Sequence, residues 1–340
     1  MRRLALSLAV MAWGASLNQT ANADAVADFY RGKTVTITVG YSAGGGYDIY
    51  ARALGRHMGR YLPGNPNFII QNITGAGSLN AANHLYNVAA KDGTVFGTFG
   101  RGIPMEPLIG TATKAQFDAT KFTWIGSGAN EVSVCSTWHT SPVKTWQDAL
   151  KTEFTAAGEG PGSDPDSFSA MVKNLFGIKL RLVTGYQGTS DTILAMERGE
   201  VDGRCGSSWS SLKSIRPQWI EKKMLNHIAY MSEVKAPELP DVPLVSDFAN
   251  ARQKQIVRLV LSRQTLGRPF TAPPGVPADR KLALRRAFDA TLKDPAFLAE
   301  AEKLKLEVSP VSGEDVDRLI AELYATPQDI VEETRAAIKP

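Results

Sequence analysis

The first stretch that could carry chemistry is Gly-Tyr-Ser-Ala-Gly at residues 40–44, which has the G-x-S-x-G spacing of a serine hydrolase's nucleophile elbow. The serine of such an elbow needs a histidine and an acid further along the chain. Of the four histidines, only His227 follows Ser42 at a sufficient distance, and it lies in an apolar, strand-like run. Three glycines also separate Ser42 from the next helix, whereas an elbow turns directly into its helix. We therefore expect Ser42 to hold a ligand, with a secreted serine hydrolase as the alternative.

The other glycine-rich turns do not have the spacing of nucleotide-binding loops. The G-x-G-x-x-G pattern fails at each glycine pair, and no Lys-Ser or Lys-Thr pair follows a glycine run. The histidines and cysteines also lack the HExxH and CxxC spacings of metal sites, and no EF-hand loop is present. The sequence thus predicts no cofactor, no metal site and no set of catalytic residues.

Junctions between a strand, a glycine loop and a helix offer a different chemistry. There are four of them, at Ser42–Asp48, Thr74–Ser78, Gly158–Ser163 and Tyr186–Ser190. Each directs backbone N–H groups and the positive end of a helix toward the carboxyl edge of a sheet, where ligands bind in open α/β folds. Their hydroxyls, small side chains and few charges suit one or two carboxylates held by neutral donors and bridging water. A single such loop is more often an ordinary turn, but the four together favour a carboxylate site.

Three larger side chains near these loops are further candidates for ligand contact. Arg101 directly follows the third predicted strand and would pair with an acid; the alternative is a solvated or ion-paired arginine. Tyr47 and Trp209 would line the cleft, and the alternative for both is packing in the core.

The elements that must position these residues follow from hydrophobic periodicity. Strands are predicted at 34–39, 68–72, 94–100, 225–232 and 255–273. The alternation of strands with helices predicts parallel sheets with βαβ crossovers. From about Trp124 the same plan restarts, and the extended segment 123–138 is long enough to cross between two domains. A capping box predicts a helix start at Ser312.

The start of the chain has the features of a secretory signal peptide. A basic beginning is followed by an apolar run at 4–13 and by small residues up to Ala25, so we expect cleavage after Ala23 or Ala25 and export of the mature chain. The run is too short to span a bilayer. Removing its two arginines takes the 38 basic residues to 36, against 34 acidic ones. That balance does not provide the clustered basic face that nucleic acid requires.

The only two cysteines, Cys135 and Cys205, are 70 residues apart and lack the spacing of metal ligands. In an oxidising compartment one disulfide between them would stabilise the fold by a few kcal/mol. Two buried free thiols are the alternative that the spacing leaves open.

The order of these motifs resembles the receptor family of tripartite tricarboxylate transporters, the periplasmic solute-binding proteins also called Bug receptors. The matching segments cover nearly the whole mature chain and are "FYRGKTVTITVGYSAGGGYDIYARALGRHM" (29–58), "NITGAGSLNAANHLYNVAAKDGTVFGTFG" (72–100), "VTGYQGTSDTILAMERGEVDG" (183–203), "LPDVPLVSDF" (239–248) and "TAPPGVPADRKLALRRAFDATLKDPAFLAEAEKLKLEVSP" (271–310). The resemblance implies an α/β protein with the two-lobed type II periplasmic binding-protein fold. Two doubly wound α/β domains, joined by crossover strands, would enclose a ligand cleft.

The domain division expected from this reading follows a signal peptide at 1–25. Residues 26–125 and 240–340 would form lobe 1, and residues 126–239 would form lobe 2.

In the family, the loops after the first and second strands cradle one carboxylate, partly through ordered waters. Carried over by position, the residues implied in lobe 1 are Ser42, Ala43, Gly44, Gly45, Asp48, Thr74, Gly75, Ala76 and Gly77. Those implied in lobe 2 are Gly158, Ser163, Tyr186 and Gly188. The sequence departs from the family in its first loop, which commonly contains prolines and here reads GYSAGGG, and in its cysteine pair.

The resemblance implies a monomeric, non-enzymatic receptor that captures a small mono-, di- or tricarboxylate and delivers it to membrane permease subunits. An orphan receptor that signals to a partner and is not coupled to transport is a further alternative. The sequence does not name the acid.

Overall fold

The computed structural model describes residues 25–110 and 114–340, so the predicted signal peptide lies outside the described residues apart from Ala25. The strands are β1 (Thr34–Val39), β2 (Asn67–Asn72), β3 (Val95–Thr98), β4 (Thr123–Ser127), β5 (Ser133–Trp138), β6 (Phe154–Ala157), β7 (Leu180–Val183), β8 (Gly203–Ser208), β9 (Leu225–Tyr230), β10 (Pro269–Ala272) and β11 (Val311–Ser312). The helices are α1 (25–30), α2 (Gly46–Met58), α3 (Leu79–Asn87), α4 (Glu106–Ile109), α5 (Trp146–Ala149), α6 (Asp164–Phe176), α7 (Thr189–Glu197), α8 (Trp209–Ile215), α9 (Pro217–Glu221), α10 (Ala251–Leu261), α11 (Ala278–Thr291), α12 (Pro295–Lys303), α13 (Gly313–Tyr324) and α14 (Gln328–Ala337).

These strands form two sheets, which agrees with the predicted two-lobed α/β architecture. The first sheet has the order β11-β4-β10-β3-β1-β2, and the second has the order β7-β6-β8-β5-β9. The extended segment predicted to cross between domains does so, because β4 belongs to the first sheet and β5 to the second. None of the helices in the described ranges is long and apolar enough to cross a membrane.

Both sheets are mixed, whereas the sequence predicted parallel ones. β1 is parallel to β2 and β3, and β6 is parallel to β7 and β8. β5 and β10, however, run antiparallel to their neighbours. The reason is that the parallel strands end at the cleft, while a strand arriving from the other lobe begins at the cleft and runs away from it.

The first sheet is covered by the helix that follows its first strand. Gly45 is the N-cap residue of α2, and Ala51, Leu54 and Met58 on its inner face are buried in one cluster with Ile37 of β1. This places the glycine loop that precedes α2 at the carboxyl edge of the sheet, as the sequence predicted.

The strand predicted over 255–273 is wrong for its first half, because residues 251–261 form α10. The helix starts with a capping box in which Asn250 Oδ1 accepts from Gln253 N at 2.9 Å and Asn250 N donates to Gln253 Oε1 at 3.0 Å. Ile256 and Val260 of its apolar run are buried at helical spacing against α6 and α14. The β-branched residues of the run favour a strand, but tertiary packing and this cap override that propensity. Only β10, at its end, is extended.

Cys135 and Cys205 are joined by a disulfide, which decides between the two alternatives that the sequence left open. They are directly paired residues of the neighbouring strands β5 and β8, and both are buried. Closing a loop of 70 residues restricts the unfolded chain, an effect worth about 4 kcal/mol in the loop-entropy model.

His227 makes the protein sensitive to mild acid. It lies on β9 with Nδ1 2.8 Å from Ser136 Oγ, and burial lowers its pKa from the ordinary 6.5 to about 4. Because the unfolded chain binds this proton first as the pH falls, the free energy of unfolding should decrease by roughly 3 kcal/mol between pH 6.5 and pH 4.

Urea denaturation at pH 7 and pH 4 measures this change, and His227→Gln should remove most of it. His139→Gln, at an exposed position just after β5, is the matched control and should keep the wild-type pH dependence. Equal pH dependence in the wild type and in His227→Gln would contradict the assignment.

Candidate functional site

The carboxyl ends of the two sheets face each other, and their loops are in contact. The loop after β1 reaches the loop after β7, where Ser42 Oγ donates to Asp191 Oδ2 at 2.8 Å and Ser42 N donates to Gln187 O at 3.0 Å. The loop after β2 reaches the loop after β6, where Gly77 N donates to Glu159 O at 2.8 Å. All four predicted strand–glycine–helix junctions therefore meet at one place, between the sheets.

These junctions enclose a small polar cavity of about 20 Å³, which has room for roughly one water molecule. Its walls are Tyr41, Tyr47, Gly100, Arg101, Glu159, Asp164, Pro165, Thr189, Arg204, Gly206, Ser208 and Ser211. Two of the sequence-predicted site residues, Tyr47 and Arg101, are among them.

Four buried charged side chains line the cavity, whereas the sequence predicted few charges there. Arg101, from the loop after β3, crosses between the lobes and donates from Nε to Asp164 Oδ2 at 2.6 Å. Arg204 of β8 donates from Nη2 to Glu159 Oε1 at 2.8 Å. Burial of charge is tolerated here because each cation has an anion beside it. Both ion pairs are less than a tenth exposed.

Burial and ion pairing shift the pKa values of Arg101 and Glu159. Burial acts to lower the pKa of Arg101, but Asp164, Tyr47 and Glu131 together outweigh it and raise that pKa, so Arg101 stays charged. Burial raises the pKa of Glu159 above its ordinary value, and neighbouring Asp166 and Asp164 add to the rise against the opposing effect of Arg204. Glu159 is therefore easier to protonate than an ordinary glutamate.

Part of this hydrogen-bonding capacity is unused. Arg101 Nη1, Arg204 Nε and Asp164 Oδ1 are buried and have no hydrogen-bond partner within residues 25–110 and 114–340. The closest cation to Asp164 Oδ1 in an ion pair is Arg263 Nη1, at 3.7 Å. Buried polar groups are costly unless they are paired, so such atoms at a cavity wall are expected to contact a ligand or water.

The glycine loop after β1 is satisfied by a carboxylate of the chain itself. Asp48 Oδ2 accepts from Gly44 N at 2.8 Å and from Arg52 Nε at 2.8 Å, and Asp48 Oδ1 accepts from Asn72 Nδ2 at 2.9 Å. Burial acts to raise the pKa of Asp48, but the hydrogen bonds from Arg52, Gly44 and Asn72 outweigh it and hold that pKa below its ordinary value. The Asp48 carboxylate therefore accepts its hydrogen bonds from neighbouring residues of the chain.

The glycine loop after β6 is satisfied in the same way by Asp166. Its Oδ2 accepts from Glu159 N at 2.6 Å, from Gly160 N at 2.9 Å and from Ser163 Oγ at 2.7 Å. Ser163 is the N-cap residue of α6, and its hydroxyl is part of this helix start. The sequence analysis predicted that the backbone N–H groups of this loop bind a ligand carboxylate. In the structure they donate to Asp166 of α6.

The loop after β2 has four consecutive residues with positive φ: Gly75 (110°), Ala76 (49°), Gly77 (62°) and Ser78 (79°). Two of them are not glycine, so the turn stores backbone strain. It is held from both sides, because Gly77 N donates to lobe 2 and Ser78 Oγ accepts from Gly100 N at 2.7 Å.

Tyr47 lines the cavity and also contacts Arg268, which lies in the connection between the lobes. Its hydroxyl accepts from Arg101 N at 3.1 Å, and the Arg268 guanidinium lies 4.7 Å from the centre of its ring. Arg268 pairs with Glu131 at 2.7 Å and donates to Ser211 Oγ at 2.8 Å.

The remaining predicted residues fall into two groups. The loop residues Ala43, Gly44, Gly45, Thr74, Gly75, Ala76, Gly158 and Gly188 lie in the facing junctions around the cavity, without appearing in its wall. Tyr186 and Trp209 pack against one apolar cluster of lobe 2, with Val134 and Trp219 among its members.

Ser42 and His227 are not brought together. Ser42 donates to Asp191, whereas His227 contacts Ser136 and the edge of the Trp209 ring. Within the described ranges, no group of three or more His, Cys, Asp or Glu side chains could hold a metal ion.

Sequence reasoning missed Glu159, Asp164, Arg204 and the Asp166 contact. One local signal was available, since Glu159 lies two residues after the end of β6, at the strand end that faces the cleft, and Arg204 interrupts a strand of small residues. A charge at such a position is buried only if it has a partner.

Comparison with known proteins gives one family and one fold. The sequence pattern of the "Tripartite tricarboxylate transporter family receptor" family matches residues 51–335. A UPF0065 protein from the TAR-I ttuE-ttuC' intergenic region of Agrobacterium vitis is 24% identical over 289 residues, which cover 80% of this chain and 75% of that protein.

Two solved structures illustrate the likeness of the fold. The periplasmic binding protein BugD superposes with a TM-score of 0.73 at 19% identity, covering 90% of this chain and 98% of BugD. MatC from Rhodopseudomonas palustris with bound malate gives a TM-score of 0.69 at 20% identity, covering 88% of this chain and 99% of MatC.

Proposed function

The chain belongs to the receptor family of tripartite tricarboxylate transporters, and we propose that it captures a small carboxylated organic acid between its lobes in the periplasm and delivers it to the membrane subunits of a transporter. MatC, which shares the fold, has malate bound, and an R. palustris protein of the same fold has adipate. Both ligands are small carboxylates, and this supports the same class for the present chain.

The observation that carries the proposal is the position of Arg101. This guanidinium is 2% exposed, lies at the cavity between the two sheets, and keeps one nitrogen, Nη1, without a partner among the described residues. In the closed arrangement Asp164 and Ser133 orient the Arg101 guanidinium, whose unpartnered nitrogen can donate to a carboxylate. Asp48 and Asp166 accept hydrogen bonds from the loop amides. We therefore assign to Arg101 the carboxylate binding that the sequence analysis predicted for these loops.

Capture would proceed by a hinge motion of the lobes. The two connections between the sheets lie side by side: Gly128 N donates to Arg268 O at 2.8 Å, and Glu131 N donates to Gln264 O at 3.0 Å. Two short adjacent connections allow rotation about one axis. A ligand that contacts both lobes binds the closed arrangement better and shifts the population toward it.

The division into residues 26–125 with 240–340 and residues 126–239 stays a prediction. The two connections favour a hinge at 126–132 and 264–268, which moves the second boundary from 240 to about 264, because α10 packs against α6 of lobe 2. The further loop residues predicted from the sequence would line the route by which the ligand enters.

Thermal unfolding with a panel of mono-, di- and tricarboxylates, with and without amino groups, tests capture. A true ligand at 100 times its Kd should raise the melting temperature by about 5–10 °C. If no carboxylate in the panel raises it, the proposed ligand class is wrong.

Delivery needs a separate experiment. Cells that lack the gene should lose uptake of the radiolabelled acid and regain it on complementation. Normal uptake in the deleted strain, together with tight binding by the purified protein, would favour the receptor that is not coupled to transport.

A further inference from the structure

The cavity differs from a simple anion site in its charge balance. Its wall carries two cations, Arg101 and Arg204, and two acids, Glu159 and Asp164, and each cation is already paired with one acid. A free dicarboxylate would add two negative charges to a buried site whose own charges already cancel. Uncompensated charge in such surroundings is strongly unfavourable.

The unpartnered atoms at this wall have opposite character. Arg101 Nη1 is a donor on a cation, and Asp164 Oδ1 is an acceptor on an anion; neither has a hydrogen-bond partner in the described part of the chain. Both side chains are more than nine-tenths buried and belong to different lobes. The pair therefore presents, across the cleft, one position for an anion and one for a donor group, the second beside Arg263 Nη1, which lies 3.7 Å from Asp164 Oδ1 and beyond hydrogen-bond distance.

The size of the cavity connects these two atoms to ligand entry. A volume of about 20 Å³ is too small for an organic acid, so Arg101 and Asp164 must move apart when one binds. A molecule that carries both a carboxylate and an ammonium group can enter the ion pair and leave both side chains compensated, its carboxylate on Arg101 and its ammonium on Asp164. A plain dicarboxylate would leave Asp164 facing a second anion.

We propose that the cleft selects a zwitterionic acid, in which an ammonium group accompanies the carboxylate, over acids that lack the ammonium group. The inference rests on the proposed function, since it names the substrate class of the same site. Asp164 is then the specificity-determining residue, and Arg101 is the carboxylate-binding one.

Matched ligand sets with one carbon skeleton test this inference on the wild-type protein. The probes are propionate, L-lactate and L-alanine; succinate, L-malate and L-aspartate; and glutarate, L-2-hydroxyglutarate and L-glutamate. Isothermal titration should show that the amino member of at least one set binds 10-fold or more tightly than the hydroxyl and unsubstituted members. If acids bind but the amino members bind no better, the inference is overturned and the proposed function stands. If no member of any set binds while another acid of the thermal-unfolding panel does, the inference is overturned and the proposed function stands. If no acid of that panel binds either, both are overturned.

Asp164→Asn tests the residue assignment. It should reduce the preference for the amino member over its hydroxyl counterpart by 10-fold or more, while Asp294→Asn, at a buried aspartate that pairs with Arg60 at 3.0 Å outside the cavity, should leave that preference unchanged. A preference retained in a folded Asp164→Asn variant would overturn the role of Asp164. If that variant does not fold, the wild-type comparison still decides the substrate class.

Discussion

Arg101→Met is expected to reduce ligand affinity by about 100-fold or more, to below the limit of calorimetric detection. Removing one partner of a desolvated charged contact costs about 2–5 kcal/mol, which corresponds to a loss of affinity of about 30-fold to 4,000-fold, and 100-fold lies within that range. Methionine retains much of the length of the side chain, so the packing against Tyr47 and Ser133 changes little while every N–H donor is lost. Titration with the acid that gives the largest rise in melting temperature measures the effect.

The matched control for this variant is Arg285→Met. Arg285 is also buried and also ion-paired, with Glu314 and Asp317 at 2.6 Å, but it lies between α11 and α13 and away from the cleft. It should lose stability and keep the affinity. Wild-type affinity in Arg101→Met, or equal losses of affinity in both variants, would show that Arg101 does not contact the ligand.

Gly77→Ala is expected to weaken binding by about 10-fold or more by holding the lobes apart. A Cβ atom at Gly77 would lie 2.6 Å from Pro161 O and 2.7 Å from Gly160 O, and these backbone atoms of the opposite lobe cannot rotate away. Affinity falls with the population of the closed arrangement, and small-angle scattering should report a larger radius of gyration.

Gly177→Ala separates this clash from backbone strain. Gly177 has a φ of 73°, close to the 62° of Gly77, and a Cβ atom there would meet nothing within 4 Å. It should lose about 1 kcal/mol of stability, as Gly77→Ala does from strain alone, without any change in affinity or dimensions. If the two variants bind equally well, the contact between Gly77 and lobe 2 does not control closure.

The features that the sequence predicted correctly are those with local causes. The strand at 34–39 follows from alternating β-branched residues, and the helix start at Ser312 from its side chain, which accepts from Asp315 N at 3.1 Å. Helix α10 was not predicted, although its capping box is equally local. The strand propensity of its β-branched run conflicts with the helix signal of Asn250 and Gln253.

The charged pairs of the site could not be predicted in the same way. Arg204 and Glu159 are 45 residues apart, and Arg101 and Asp164 are 63 apart. Their pairing depends on how two sheets face each other, which no local pattern encodes. Asp48 and Asp166 show the same limit: an aspartate near a glycine loop can bind the loop's own amides or leave them to a ligand, and only the folded geometry decides.

The strand order of the two sheets determines when each can be completed during synthesis. The second sheet uses one continuous stretch, 133–230, whereas β10, from residues 269–272, lies between β4 and β3 in the middle of the first. The N-terminal strands therefore have no complete sheet to join until most of the chain has been made. Lobe 2 can fold as a contiguous unit while lobe 1 waits, so the slow step of folding should be the late insertion of β10, a pairing of high sequence separation.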